Sequence, residues 1–599
     1  MEKEIKSNNK TNKFWDRYKT FFICWGVLVF FEMIEYISMV YPQLVRKKYA
    51  ILCLLSWVLL FALDFIKPLR KFAKSVLDFC GKQIKKITYI KYTNWRKFIV
   101  VLLIDLALSL LLLFLFCGTG RFYAKIFVFI FVCVFLTSLL FTFKNLLIEK
   151  IELMVFVFVM GIGTLFVTLL PTSCGLSWDD EVHFLNSLKL SHEVDFHMTP
   201  DDYLILNNFP STALEHNLYD EKSDKEWMEH MADYQANEEL IPVGRLLPKL
   251  EHWGYIPAAC GLTIGRACHL PYAWTFALGK MFNLFTYALL LYFSIKKIKS
   301  GKMIIAAVGM LPPCILLASS YSKDFWMIGF LMLGFSYFFG EIQRSNKPIA
   351  LSQVAVIWIS FLFGVGTKAV YVPIILTLFF MPKSKFKDKK ALRNYRIAII
   401  VLGVILLATF ALPYVISSGS AFEDVRGGDD VDAGAQTAYI LSDPFGYSKT
   451  LSQFMFKYVS LKTASKNLTY CVYLGTTKFA LLIMMLLTVV TFTDRNSFDD
   501  DIKAPVKITY ILSSIVAMCL VATSMYVAFT PLKHDTVLGC QYRYLFPVMF
   551  PSLFVIGSMV KLDNKTKMNW YRGIILAILA FVIIYGFWDM FLSGYYNLG

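Results

Sequence analysis

The chain has 599 residues, 57% of them hydrophobic, with a formal net charge of +17. A single soluble core of that size has no place for so much apolar surface, whereas lipid-facing helices need no polar exterior across the bilayer core. The positive balance does not indicate nucleic acid, because Lys and Arg sit at the ends of apolar runs, as cytoplasmic loops of membrane proteins require.

Met1 to Lys19 is polar and charged, and no small-residue cleavage site follows the first apolar run, so the first helix is read as retained. On a ruler of about 20 apolar residues per crossing, roughly fifteen spans are predicted. They cover 20–41, 49–66, 98–117, 123–143, 152–171, 271–294, 303–320, 325–341, 349–365, 368–382, 395–416, 476–493, 508–530, 543–560 and 572–592. The fold class is therefore an all-α polytopic membrane protein. The 12 cysteines are scattered without a C-x-x-C pair, and those within spans, such as Cys53 and Cys133, read as small core residues.

Loop charge sets the orientation. The basic stretch 67–97, Lys296 to Lys302, Lys383 to Arg393 and Lys561 to Arg572 all fall on the cytoplasmic side by alternation. Arg46, Lys47 and Lys48 break the pattern, which makes the first two spans the weakest part of the count. The same alternation exports 172–255, a loop with far more Asp and Glu than Lys and Arg. A connection that long usually carries function. Ser223–Gln235 reads as a short surface helix. A second outer segment, 417–475, contains the polar run Glu423–Asp432, and Thr437–Val459 reads as an amphipathic stretch along the membrane surface. No internal repeat is visible.

Four clusters carry chemistry. Trp178-Asp179-Asp180-Glu181-Val182-His183-Phe184 follows the fifth span. Three acids and an imidazole make a base or a divalent-cation site from Asp179, Asp180, Glu181 and His183. The same residues read equally well as a solvated acidic helix start with Asp179 or Asp180 as N-cap. Tyr321-Ser322-Lys323-Asp324 places a charged pair at a helix entrance, or forms an ordinary interfacial turn. Lys368 and Tyr371 lie in an outer turn where Lys opposes the positive-inside trend, as an anion ligand or a snorkelling side chain. Gln541, Arg543 and Tyr544 form another outer turn, and Arg binds phosphate bidentately. All eight histidines fall in outer segments, but His192 and His197 lack a tight zinc spacing. Neither a Walker loop nor a G-x-G-x-x-G before a helix is present, which argues against nucleotide chemistry.

These motifs, in order, resemble a bacterial membrane-protein family designated domain of unknown function 2142. The matches are Asp179-Asp180-x-x-His183-Phe184, Tyr255-x-Pro257, Gly279-Lys280-x-x-Asn283-Leu284, and Leu311-Pro312 leading to Ser320–Asp324. Lys368-x-x-Tyr371-x-Pro373 and Gly539-x-Gln541-x-Arg543-Tyr544-x-x-Pro547 complete the series. Lys280 stands where the family pattern has arginine, and Tyr542 where glycine is common. The resemblance covers roughly 150–560, which suggests a division into 1–148, with a cytoplasmic tail and four extra helices, and a transmembrane domain 149–599. Through the family it extends to the C-type, polyprenyl-phosphate-sugar-dependent glycosyltransferases, which implies an inverting transferase of the bacterial plasma membrane with its active face outside. The donor would be a polyprenyl-phosphate-linked sugar and the acceptor a surface polysaccharide or teichoic acid, with no nucleic-acid partner. The resemblance implies Asp179 as general base with Asp180 beside it. It implies Lys368 and Arg543 on the lipid phosphate, and His183 and Asp324 orienting the acceptor or a divalent cation. The competing reading is a transporter, flippase or polymerase partner for lipid-linked envelope glycans. A transporter usually shows mid-span charges or repeats. Glu32, Glu35 and Asp64 lie outside the matched region.

Overall fold

The computed structural model describes residues 92–118, 122–170, 179–192, 249–344, 347–416, 430–471, 477–494, 502–560 and 566–592, together with Ser177, three residue pairs at 197–198, 241–242 and 474–475, and scattered positions between 22 and 78. The first two expected spans lie largely outside the described residues, and the expected helix at Ser223–Gln235 lies wholly outside them.

The protein is an all-α, multi-pass membrane protein. In chain order the helices are α1 (Tyr92–Cys117), α2 (Ala124–Thr142), α3 (Ile151–Leu169), α4 (Asp180–Ser191), α5 (Ile256–Ala267), α6 (Tyr272–Lys297), α7 (Lys302–Gly309), α8 (Pro312–Ala318), α9 (Asp324–Ile342) and α10 (Leu351–Gly366). They continue with α11 (Lys389–Ile416), α12 (Ala433–Ser442), α13 (Pro444–Tyr458), α14 (Leu461–Asn467), α15 (Ala480–Thr493), α16 (Ala504–Phe529), α17 (Phe546–Gly557) and α18 (Met568–Phe587). Among the described residues, eight helices are long and apolar enough to cross a bilayer, and several shorter apolar helices lie beside them. The strands described are two-residue antiparallel pairs.

Two expected spans take another form. The run 303–320 breaks into α7 and α8 at Met310-Leu311, because Pro312 and Pro313 lack amide protons and a helix accepts them only in its first turn. The run 368–382 is a 3-10 helix over Ala369–Phe380 with Pro373 inside it. A 3-10 helix rises about 2.0 Å per residue, so twelve residues reach about 24 Å, nearly a bilayer's hydrocarbon thickness. One element escapes hydropathy altogether: α5, short and rich in small residues, packs flat on α6. Gly261 makes that contact possible. A Cβ there would sit 2.6 Å from the carbonyl oxygen of Leu278.

The centre of the bundle is α9, where every residue but Phe330 is buried. It packs against α6, α10 and α17, while α3 lines the other side of α6. Its 19 residues span about 28 Å, so its two ends report two faces of the protein. At its C-terminal end Glu341 pairs with Lys297 of α6, which also donates to Gln353 of α10. Lys299, Lys385, Arg344 and Gln343 surround that pair with further hydrogen bonds. At its N-terminal end lies Asp324. On the flank of the bundle, α1 packs on α2 and α2 on α3. There the buried Asp105 accepts a hydrogen bond from Ser138 at 2.6 Å, the kind of partner an acid within a span requires.

Candidate active site

Three helix entrances and a turn meet at the N-terminal end of α9. Asp179 precedes α4 in the left-handed region, at φ 57° and ψ 28°. A non-glycine residue there is uncommon, and strain of this kind concentrates at functional sites. Its side chain makes no cap hydrogen bond to α4. Instead its Oδ2 accepts from Nη2 of Arg543 at 3.1 Å, across 364 residues of sequence.

Arg543 lies in the 3-10 turn Tyr542–Leu545 that leads into α17. Its Nε is in ion contact with Oδ2 of Asp324 at 3.2 Å. Asp324 also receives Nζ of Lys368 at 2.7 Å on its other oxygen. Two carboxylates and two cations, named from four separate motifs, thus form one continuous network. Burial divides it. The side chains of Asp324 and Arg543 are each 3% exposed, whereas Lys368 is 23% and Asp179 33% exposed. The buried pair is the anchor, and Lys368 and Asp179 are the members that face outward. Buried charges need opposite charges in contact, and here each has one, although the Arg543 Nε–Asp324 Oδ2 contact falls short of hydrogen-bond geometry.

The aromatic residues hold the cations in place. Lys368 Nζ lies 4.4 Å from the centre of the Tyr544 ring, and the Arg543 guanidinium 5.5 Å from it. Such contacts favour cations over an electron-rich face. Tyr371 is fully buried and donates from its hydroxyl to the Tyr544 carbonyl at 2.5 Å, so it braces the arginine turn rather than facing a ligand. Tyr458 of α13 donates to the Gln541 carbonyl at 2.7 Å from the other side. The Gln541 side-chain oxygen is buried beside the same turn.

The two adjacent acids do different things. Asp180 is fully buried. Its Oδ1 accepts from the Tyr321 amide at 2.8 Å and from the Ser177 hydroxyl at 3.2 Å. Ser320 donates to Ser177, and the Ser322 amide donates to Ser320. This serine-lined knot fixes the Ser320–Asp324 turn and with it Asp324. Asp180 is therefore a scaffold residue, which corrects its expected place beside Asp179 as a catalytic acid: no face of it is open to a substrate. The tyrosine of the same turn, Tyr321, donates to the Phe276 carbonyl at 2.8 Å, and its ring packs on Phe184. Lys280, which replaces the pattern's arginine, is buried with its Nζ 4.4 Å from the centre of the Phe276 ring.

His183 is one turn into α4 and buried. Its Nδ1 and the Tyr255 hydroxyl share a hydrogen bond of 2.9 Å, and Asn186 donates to the same hydroxyl. Burial, reinforced by Lys323 and Arg543, pushes the imidazole well below its ordinary pKa, so it is neutral at neutral pH. Burial pushes the Tyr255 phenol upward. Tyr255 was legible in the Tyr-x-Pro stretch but not as a site residue. Lys323, whose Nζ lies 5.4 Å from the Tyr255 ring centre, was likewise named only as a neighbour of Asp324.

Among the described residues, no group of three His, Cys, Asp or Glu is placed to hold a metal ion. Asp180 accepts from the Tyr321 amide, and Asp179 accepts from Arg543. Of the donor set expected from the sequence, Asp179, Asp180 and His183 are described and each has a protein partner, while the Glu181 side chain lies outside the described residues.

A family model described as "Predicted membrane protein (DUF2142)" matches residues 160–551. The chain belongs to this family. The matched stretch begins within α3 and ends within α17, so it takes in all four charged residues of the network and leaves α1, α2 and α18 outside. No curated protein and no solved structure matches the chain.

Proposed function

We propose that this family member is a membrane glycosyltransferase that moves a sugar from a polyprenyl-phosphate carrier to a cell-surface polysaccharide or teichoic acid on the outer face of the bacterial plasma membrane. The observation that carries this reading is the network Asp179–Arg543–Asp324–Lys368 at one end of the bundle, with one carboxylate and one cation facing outward. The opposite end is lysine-rich, which supports its assignment to the cytoplasmic side and the network's to the outside.

The chemistry follows from the charges. An acceptor hydroxyl oxygen attacks the anomeric carbon while the bond from that carbon to the lipid-phosphate oxygen breaks. The electrons leave with the phosphate, which gains negative charge, and the hydroxyl proton goes to Asp179. Fixed cations aimed at that developing charge stabilise the transition state, and Lys368 and Arg543 serve this role. Asp324 positions both of them. In the resting geometry Asp179 is paired with Arg543. An arriving phosphate competes for that guanidinium and frees the carboxylate to act as base.

The test is glycan analysis of the cell envelope in a strain carrying Asp179→Ala at normal protein level. Loss of one side-branch sugar supports transfer. An unchanged polymer sinks the catalytic assignment, and loss of the whole polymer favours transport or polymerisation of a lipid-linked glycan.

A further inference from the structure

The helical arm α12–α14 packs by one face only. In α13 that face is Tyr447, Leu451, Phe454, Met455 and Tyr458, spaced to lie along one stripe. Tyr447 donates to Thr523 of α16 at 2.6 Å. Thr523 lies six residues before the end of α16, so the contact sits about 9 Å inside the end of a membrane span. At the other end of the arm, Gln436 of α12 donates to the Tyr526 carbonyl at 3.2 Å and accepts from the Lys533 amide at 2.9 Å. The arm therefore lies against the side of the span at interfacial depth.

Its opposite face is bare. Phe445 and Phe456 are eleven residues apart, close to three helical turns, and project together away from the bundle at 89% and 79% exposure. Leu441 and Leu461 extend the same exposure at the two corners of the arm. Between 444 and 467 the charged residues are Lys449, Lys457, Lys462 and Lys466, all exposed, with no acid among them. Apolar side chains projecting beside lysines, at the depth of a span's end, match the requirements of a helix lying in an anionic lipid surface.

We infer that α12–α14 is an in-plane anchor that seats Phe445 and Phe456 among the acyl chains of the leaflet at the network's end and binds anionic phospholipid headgroups through its four lysines. The anchor also reaches the candidate site, since Tyr458 holds the Gln541 carbonyl two residues from Arg543. Lipid contact thus fixes the turn that presents the guanidinium. This goes beyond the transferase reading and does not depend on it.

The test uses the full-length protein in vesicles of phosphatidylethanolamine and phosphatidylglycerol, with p-benzoylphenylalanine placed singly at 445, 456, 520 and 535. Leu520 is a lipid-facing position on α16, and Asp535 has an almost fully exposed side chain in a turn. After illumination, mass spectrometry of the proteolysed chain reads the adducts. The inference expects phospholipid adducts at 445, 456 and 520 but not at 535. It expects phosphatidylglycerol above its bulk share at 456, and loss of that excess when all four lysines become Gln. Lipid adducts at 520 alone, or protein–protein adducts at 445 and 456, overturn the anchor. Phosphatidylglycerol at its bulk share overturns the headgroup assignment. Phe445 and Phe456 make little contact with the protein, so their replacement leaves folding intact.

Discussion

Asp324→Asn is the sharpest perturbation of the network. It leaves Arg543 buried without the charge that faces its Nε, and it removes the partner of Lys368 at 2.7 Å. Breaking a buried pair by removing one member costs about 3–5 kcal/mol, with the surviving Asp179 contact holding the loss toward the lower end. Lys368→Met acts on the same pair from the exposed side. Asp324 then still faces Arg543, and the loss is that of one charged hydrogen bond, about 1.5–3 kcal/mol at most for a group this exposed. The account therefore predicts an ordered pair of losses, Asp324→Asn larger than Lys368→Met. It also predicts that the double variant loses less than the sum, because the two residues share one interaction. Reversible unfolding of the purified protein by SDS in mixed micelles measures all three. Equal losses for the two single variants, or strict additivity, would refute the reasoning that Asp324 is the buried anchor.

Three further outcomes follow from the same geometry. Asp180→Asn keeps an oxygen for the Tyr321 amide and should retain folding and function, whereas Asp180→Ala should lose protein yield; thermal aggregation assays and expression level separate these. Asp179→Asn removes the phosphate's competitor for Arg543, so farnesyl phosphate should bind up to about fivefold more tightly than to the wild type, the value of a part-exposed ion pair; weaker binding in titration calorimetry would contradict the exchange. His183 has a depressed pKa in the folded state, so the unfolded chain takes up the proton first as pH falls. Its contribution is complete above the ordinary value of 6.5 and declines below it, by up to about 1.4 kcal/mol per pH unit relative to His183→Gln, measured by unfolding at a series of pH values.

The fold class and most spans were legible because hydropathy and loop charge are local, additive signals. The breaks were less so. The Pro312-Pro313 pair announces an interruption, but nothing local shows that the run divides into α7 and α8 at Met310-Leu311, or that Ala369–Phe380 winds as a 3-10 helix. At the site, residue type identified Asp179, Asp324, Lys368 and Arg543, since charges at helix ends stand out against an apolar background. Their convergence was not legible, because it depends on packing between segments 44 to 364 residues apart. The division of labour between Asp179 and Asp180 was also invisible. It turns on one left-handed backbone position, which swings the first carboxylate toward Arg543 and leaves the second facing the Tyr321 amide. Tyr371 illustrates the same limit from the other direction: an aromatic residue expected at a ligand braces a turn, as Tyr458 also does.

The most direct measurement of the central claim is the ratio of sugar-loaded to bare polyprenyl phosphate in lipid extracts of cells expressing Asp179→Asn in place of the wild-type protein. A transferase blocked at its base leaves its donor unused, so the sugar-loaded form should accumulate while the envelope polymer lacks that sugar. An unchanged ratio with a normal polymer would contradict the account.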